Sequence, residues 1–228
     1  MVQLHWPDLN QTAYIDTLRW LCMDERLSSL AVTNFNVHAL SRAIDECRLP
    51  ISANVVSLSV IDQRPMGELL PFCRARSVHV FAYGVLLGGL LSEVWLGRRE
   101  PLDKELDNLS AVRYMKVVRR WGGWRLFQRL LETMAAVAFK HQQTIAVVAM
   151  RWALQQEGVS AVIVGSRLGN PACDTSAESA GLFTFELDDE DLSAINAVAS
   201  MGRDLRRKIG DIGAEYVVEE NGTPLAVF

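Results

Sequence analysis

The sequence predicts an α/β protein, a parallel sheet with helices packed outside it. Three observations carry this expectation. Short apolar runs alternate with longer amphipathic segments, the βαβα order of parallel sheets. The chain has 228 residues, 50% of them hydrophobic, which suits one buried core and is too apolar for disorder. No repeat, low-complexity tract or linker breaks the alternation, so one domain is expected over residues 1–218, with a tail at 219–228.

The elements follow in order. Strands are expected at Val2–His5, Ser29–Thr33, Ser52–Leu58, Val78–Tyr83 and Ala161–Val164, each a short β-branched or apolar run. Between the first two, Tyr14, Leu18 and Leu21 recur at helical spacing, and between the next two Leu40, Ala43 and Ile44 do so. Glu68 to Arg74 reads as a short helix holding Leu69, Leu70 and Phe72. Leu90 to Gln143 has no strand signal. Within it, Phe127, Leu130, Leu131, Met134, Val137 and Ala138 form a broad apolar face over Trp124 to His141. Trp121-Gly122-Gly123-Trp124 reads as a structural loop. Thr144 is placed to cap a helix through Gln155 that ends near Gly158. Asp188 is placed to cap a last helix, with Asp191 at its third position as an acidic complement to the helix dipole.

Composition narrows the function classes. The formal net charge is −4, without the basic stripe of a nucleic-acid or anionic-membrane binder. Arg203, Arg206, Arg207 and Lys208 form a local basic cluster that reads as a solvated helix end. Cys22, Cys47, Cys73 and Cys173 lack C-x-x-C spacing, so neither a zinc site nor a redox dithiol is expected. No run approaches the roughly 18 apolar residues of a membrane span, and a cytoplasmic protein with reduced thiols is the expectation.

Seven segments then line up with one family: Gln3-Leu4-His5-Trp6, Ala31-Val32-Thr33-Asn34-Phe35, Ser57 through Pro65, Ala82-Tyr83-Gly84 through Glu93, Trp121-Gly122-Gly123-Trp124, Val162 through Leu168, and Ile209-Gly210-Asp211. Each is weak alone, but their number, order and spacing over roughly residues 1–217 make the chain resemble the aldo/keto reductases. The resemblance starts at that family's fourth barrel strand. It implies a partial (β/α) TIM barrel of about five parallel βα units, with the N-terminal three strands absent, and therefore a sheet that does not close by itself. Edge strands Val2–His5 and Ala161–Val164 would then be open. The expected shape is a curved sheet with helices on its convex side, and either an exposed apolar concave face or a homodimer or partner chain covering it.

The resemblance also implies roles. His5, at a strand C-terminal end where barrel sites form, would hydrogen-bond a substrate carbonyl. Thr33 and Asn34 would hold a nicotinamide carboxamide, Tyr83 would stack on that ring, and Leu86 would contact the cofactor three residues on. Ser166 and Arg167 would bind adenosine phosphates near a helix N-terminus. The implied cofactor is NADP(H), and the implied substrate a small carbonyl or alcohol metabolite, with a place in secondary-metabolite biosynthesis as one implied role.

The chain departs from the pattern in three places. Val55 stands where the family usually has a Gln that also contacts the carboxamide. The stretch Gly169 to Ser176 lacks the expected downstream Asn, and its Pro171 opposes early helix formation. The family's tyrosine proton donor and its activating lysine and aspartate have no counterpart, since Tyr14, Tyr114, Lys104 and Lys116 match no catalytic position. Two alternatives follow: a repurposed isomerase, dehydratase or cyclase that uses His5 as acid/base, or a catalytically inactive interaction fragment.

Overall fold

The computed structural model describes residues 1–165 and 180–214. Ser166, Arg167, Cys173 and the expected tail lie outside them. Five parallel strands form one sheet in chain order: β1 (Val2–His5), β2 (Leu30–Thr33), β3 (Ile51–Ser57), β4 (His79–Tyr83) and β5 (Val159–Ile163). Among the described strands, β1 and β5 are the edges and do not pair with each other, so the sheet stays open as expected. Four strands start one or two residues from their expected positions. β5 begins at Val159 because Gly158, at φ 100°, turns the chain straight out of the preceding helix into the sheet.

Between the strands run α1 (Tyr14–Cys22), α2 (Val37–Ser41), which widens into a π-helical turn over Arg42–Glu46, and α3 (Leu69–Ala75). Their apolar sides meet Leu30, Val32, Ile51, Val56 and Val80 in one core cluster that includes Tyr14, Leu18, Leu40, Leu69 and Cys73. Burial pushes the Cys73 thiol up to about 12, so it packs as a small apolar group. Between β4 and β5 come α4 (Leu109–Trp121), α5 (Gly123–His141) and α6 (Ile145–Leu154), and after β5 come α7 (Asp189–Ala199) and α8 (Leu205–Ile209). These build a second cluster around Met115, Trp121, Phe127, Leu131, Met134 and Trp152.

The caps explain where the helices start. Thr144 Oγ accepts from Val147 N at 3.2 Å, and Asn108 Oδ1 accepts from Ala111 N at 2.7 Å. Asp188 and Asp191 form a reciprocal capping box on α7. α4 was not anticipated, and Trp121-Gly122-Gly123-Trp124 is a tight junction between two helices instead of a loop: Trp121 ends α4, and Gly123, at φ 76°, opens α5.

The face of the sheet that carries Thr33 and Val55 is covered at its centre and open toward its edges. Ala31, Ala53 and Val55 are buried, whereas Gln3, His5 and Ile163 toward the two edges are exposed. No described helix is long and apolar enough to cross a membrane.

An ion cluster ties α5 to α7. Lys140 Nζ lies 2.6 Å from Asp188 Oδ2 and 2.8 Å from Asp191 Oδ1, and His141 Nε2 lies 2.6 Å from Asp191 Oδ2. The bond from Lys140 holds the Asp188 carboxyl down to about 2. Burial pushes the Asp191 carboxyl up, but the Lys140 and His141 bonds outweigh burial and leave it below its ordinary value. A carboxyl depressed in the folded state stabilises fully above its unfolded value near 4 and loses that contribution as pH falls toward the folded value. Acidification from about pH 5 to about pH 2.5 should therefore lower the thermal midpoint more in the wild type than in Lys140→Met. Equal slopes for the two proteins in a pH series of melting curves would show that the cluster carries no acid-sensitive stability.

Candidate active site

The register places the expected site residues together. His5 pairs with Thr33, Thr33 with Val55, Val55 with Phe81, and Phe81 with Ala161. In-register parallel partners point to the same side, so these five share the concave face, and Ser57, Tyr83 and Ile163 form the next row toward the strand C-terminal ends. His5 ends β1, Thr33 ends β2 and Tyr83 ends β4. Gln3, on the same face as His5, donates from Nε2 to Thr33 Oγ1 at 2.5 Å and fixes that hydroxyl. Leu86 follows β4 and is half-buried against the second core cluster. Ser166 and Arg167, expected at the phosphates, lie outside the described residues.

Asn34 is held most tightly. It is 2% exposed and left-handed at φ 57°, a conformation that Asn tolerates better than most residues. Its backbone N–H donates to Val55 O at 2.8 Å. Its side-chain Oδ1 accepts from Tyr83 Oη at 3.0 Å, whereas Nδ2 is buried without a hydrogen-bond partner among the described residues. A buried donor left unmet costs about 1–3 kcal/mol, so the site is built with a cost that an incoming acceptor would remove. This fits a carboxamide oxygen at Asn34. The Val55 side chain offers no hydrogen bond, so the Gln-like contact of the usual pattern is missing.

Sequence reasoning missed the residues that hold this loop. Asn54, fully buried, accepts from Phe35 N at 3.3 Å and donates to Phe35 O at 2.8 Å, clamping the chain just after Asn34. Gly213, at φ 89°, lies so close that a Cβ there would stand 2.7 Å from Asn34 O. Arg64 pins the segment before it, with Nη1 3.3 Å from the carbonyls of both Gly210 and Asp211. Arg64 in turn makes a two-point pair with buried Asp62, Nε to Oδ1 and Nη2 to Oδ2, each 2.8 Å. Ser57 Oγ donates to Asp62 Oδ2 at 3.1 Å. The signal was present: two opposite charges two residues apart, directly after an apolar strand, must pair if buried.

The profile of the aldo/keto reductase family matches residues 1–200. This chain belongs to the aldo/keto reductase family. Among its relatives, the glyoxal reductase of Bacillus subtilis (strain 168) is 25% identical over 201 residues, covering 86% of this chain and 55% of the relative. The glycerol dehydrogenase AKR11B4 from Gluconobacter oxydans superposes with a TM-score of 0.69 at 23% identity, covering 92% of this chain and 59% of that one. A Gox0644 variant solved in complex with NADPH superposes at 0.59 with 23% identity, covering 86% and 57%. The chain thus spans little more than half the length of these aldo/keto reductases, and the open five-stranded sheet corresponds to part of the family's TIM barrel.

Proposed function

We propose that this chain is the cofactor-binding and substrate-orienting part of an NADP(H)-linked oxidoreductase acting on a small carbonyl or alcohol. The observation that carries the reading is the unmet Asn34 donor beside Tyr83, at the strand C-terminal ends of an aldo/keto reductase sheet. The NADPH-bound Gox0644 relative and the carbonyl-reducing glyoxal reductase support the choice of cofactor and substrate class.

In this reading Asn34 Nδ2 donates to the carboxamide oxygen of the nicotinamide, and the Tyr83 ring lies against the nicotinamide face, a contact worth about 0.5–1.5 kcal/mol beyond area burial. Thr33, with its oxygen engaged by Gln3, keeps its own hydroxyl hydrogen to offer the same carboxamide. His5, in register beside Thr33, presents its imidazole to the substrate oxygen and orients the carbonyl carbon toward the ring. The nicotinamide, when bound, supplies or takes up the hydride. Ser166 and Arg167 are assigned to the phosphates.

Titrating the protein's intrinsic fluorescence with NADPH tests this directly. Trp6, near His5 in sequence, and the core tryptophans supply the signal. Saturable quenching below millimolar NADPH is expected, and no binding at millimolar cofactor would overturn the reading.

A further inference from the structure

We infer that the connection between β4 and α4 carries a second ligand site, which takes a flat aromatic group bearing a carboxylate. The site is a cleft of about 370 Å³ lined by Trp95, Arg98, Arg99, Pro101 and Glu105, a volume within the range of pockets that hold small organic molecules. None of these five residues belongs to the strand-end site. The walls are fixed before any ligand arrives. Gln128, on α5, clamps the chain at two points: Nε2 donates to Trp95 O at 2.9 Å, and Oε1 accepts from Gly97 N at 2.8 Å. Trp124 Nε1 donates to Arg98 O at 2.8 Å, and the Trp124 and Trp95 rings meet at 88°, with centroids 6.2 Å apart. Arg119 ties the far side, reaching Glu100 at 2.7 Å and Asp103 at 3.1 Å. A cleft whose walls are already ordered loses little affinity to ordering them on binding.

The chemistry of the lining selects the ligand. Trp95 is half-buried and Pro101 buried, so a flat apolar group finds two rings to pack on. The Glu105 carboxylate is fully engaged: Oε1 accepts from Arg99 Nη2 at 2.6 Å, and Oε2 from Arg99 Nη1 at 3.0 Å and from Leu102 N at 2.8 Å. That pairing also neutralises Arg99. Arg98 is the lining charge left over. Its exposed guanidinium makes no ion pair or hydrogen bond among the described residues, and the Trp95 indole N–H makes no hydrogen bond among them. Two donors, one of them cationic, thus stand beside two rings with no uncommitted carboxylate in the lining. The complement is an anionic acceptor on a flat ring, and a guanidinium matches a carboxylate by its fork of donors. A cationic ligand is disfavoured, because the acidic group in the lining is already paired and Arg98 repels it.

Proton–nitrogen NMR spectra of the isotope-labelled full chain test this through the indole N–H signals of its six tryptophans. The probes are 2-naphthoate, 2-naphthylmethanol and 2-naphthylmethylammonium, one ring carrying a negative, a neutral or a positive group. Trp95→Leu assigns the Trp95 signal. 2-Naphthoate should shift that signal saturably, with a dissociation constant of about 1 mM for a ligand of this size. It should bind about threefold to tenfold more tightly than the alcohol, with the ammonium weaker still. Arg98→Gln should bring the acid to within about twofold of the alcohol and leave the alcohol's own affinity unchanged. Arg98 is exposed and unpaired, so this variant should keep the fold, and its indole signals, at wild-type positions without ligand, check that it does. A Trp95 signal that stays still at about 10 mM 2-naphthoate would overturn the inference. So would a shift of Trp6 without Trp95, which would put the acid at the strand-end site near His5. Equal binding of the three probes, a preference for the ammonium, or a preference for the acid that survives in Arg98→Gln would overturn it as well.

Discussion

Arg64→Ala should lower the free energy of unfolding by about 3–5 kcal/mol, the loss typical when one member of a buried ion pair is removed. Arg64 is 8% exposed and Asp62 3%. Without the guanidinium, the Asp62 carboxylate keeps Ser57 as a side-chain donor, and the Gly210 and Asp211 carbonyls lose theirs. The double variant Asp62→Leu with Arg64→Met should be the milder one, because it leaves no buried charge uncompensated. Urea unfolding of the two variants and the wild type separates these outcomes. A single variant within about 1 kcal/mol of the wild type, or a double variant worse than the single, would show that the pair is not what holds this turn. The same substitution should weaken NADPH binding, because the segment that Arg64 holds carries Gly213 onto the Asn34 backbone.

That coupling shows what the sequence could and could not reveal. All five strands and their order were legible, because a run such as Ile51–Ser57 or His79–Tyr83 is too short and too β-branched or aromatic to be a helix. The helices capped by Thr144 and Asp188 were legible for the same local reason: the cap and the apolar spacing agree. His5, Thr33 and Tyr83 entered through the family resemblance, and each ends a strand of the parallel sheet, where barrel sites form. Asn54, Gly213 and the reach of Arg64 beyond its neighbour Asp62 were not found, because those partners are distant in sequence. Arg64 meets Gly210 and Asp211 some 146 and 147 residues away, and nothing local to either segment announces the contact. α4 was missed although Asn108 caps it and Ala111, Met115, Val118 and Trp121 follow at helical spacing. The two glycines after it supported reading Trp121-Gly122-Gly123-Trp124 as a structural loop. The sequence left open whether the concave face is bare or covered by a second chain, because period-2 alternation assigns a residue to a side of the sheet and says nothing about what covers that side.

Trp121→Ala should be as damaging as the loss of Arg64, at about 3–5 kcal/mol, the cost of emptying a large buried aromatic site. Trp121 is 2% exposed and closes the end of α4. Its indole N–H donates to Ala199 O at 3.2 Å, its own carbonyl accepts from Arg203 N at 2.6 Å, and the indole covers Gly202 so closely that a Cβ there would overlap the ring nitrogen. One residue therefore fastens the end of α7 through its indole and the start of the segment leading to α8 through its indole over Gly202 and its backbone carbonyl. Trp121→Phe should recover most of the loss, because it refills the volume and leaves the Ala199 carbonyl short of one bond worth about 1 kcal/mol. Gly202→Ala should behave more like Trp121→Ala than like an ordinary surface glycine substitution, since its methyl group has nowhere to go while the indole stays. Thermal or urea midpoints of the three variants test the set, and a Trp121→Ala protein destabilised no more than Trp121→Phe would refute it. The effect should reach the site as well. From Arg203 the chain runs through α8 to Gly213, which rests on Asn34 O, so the anchor at Trp121 and the pin at Arg64 hold one segment from its two ends. Each should loosen the Asn34 loop when removed. Because they share that segment, their combined effect on NADPH affinity should fall short of the sum of the two.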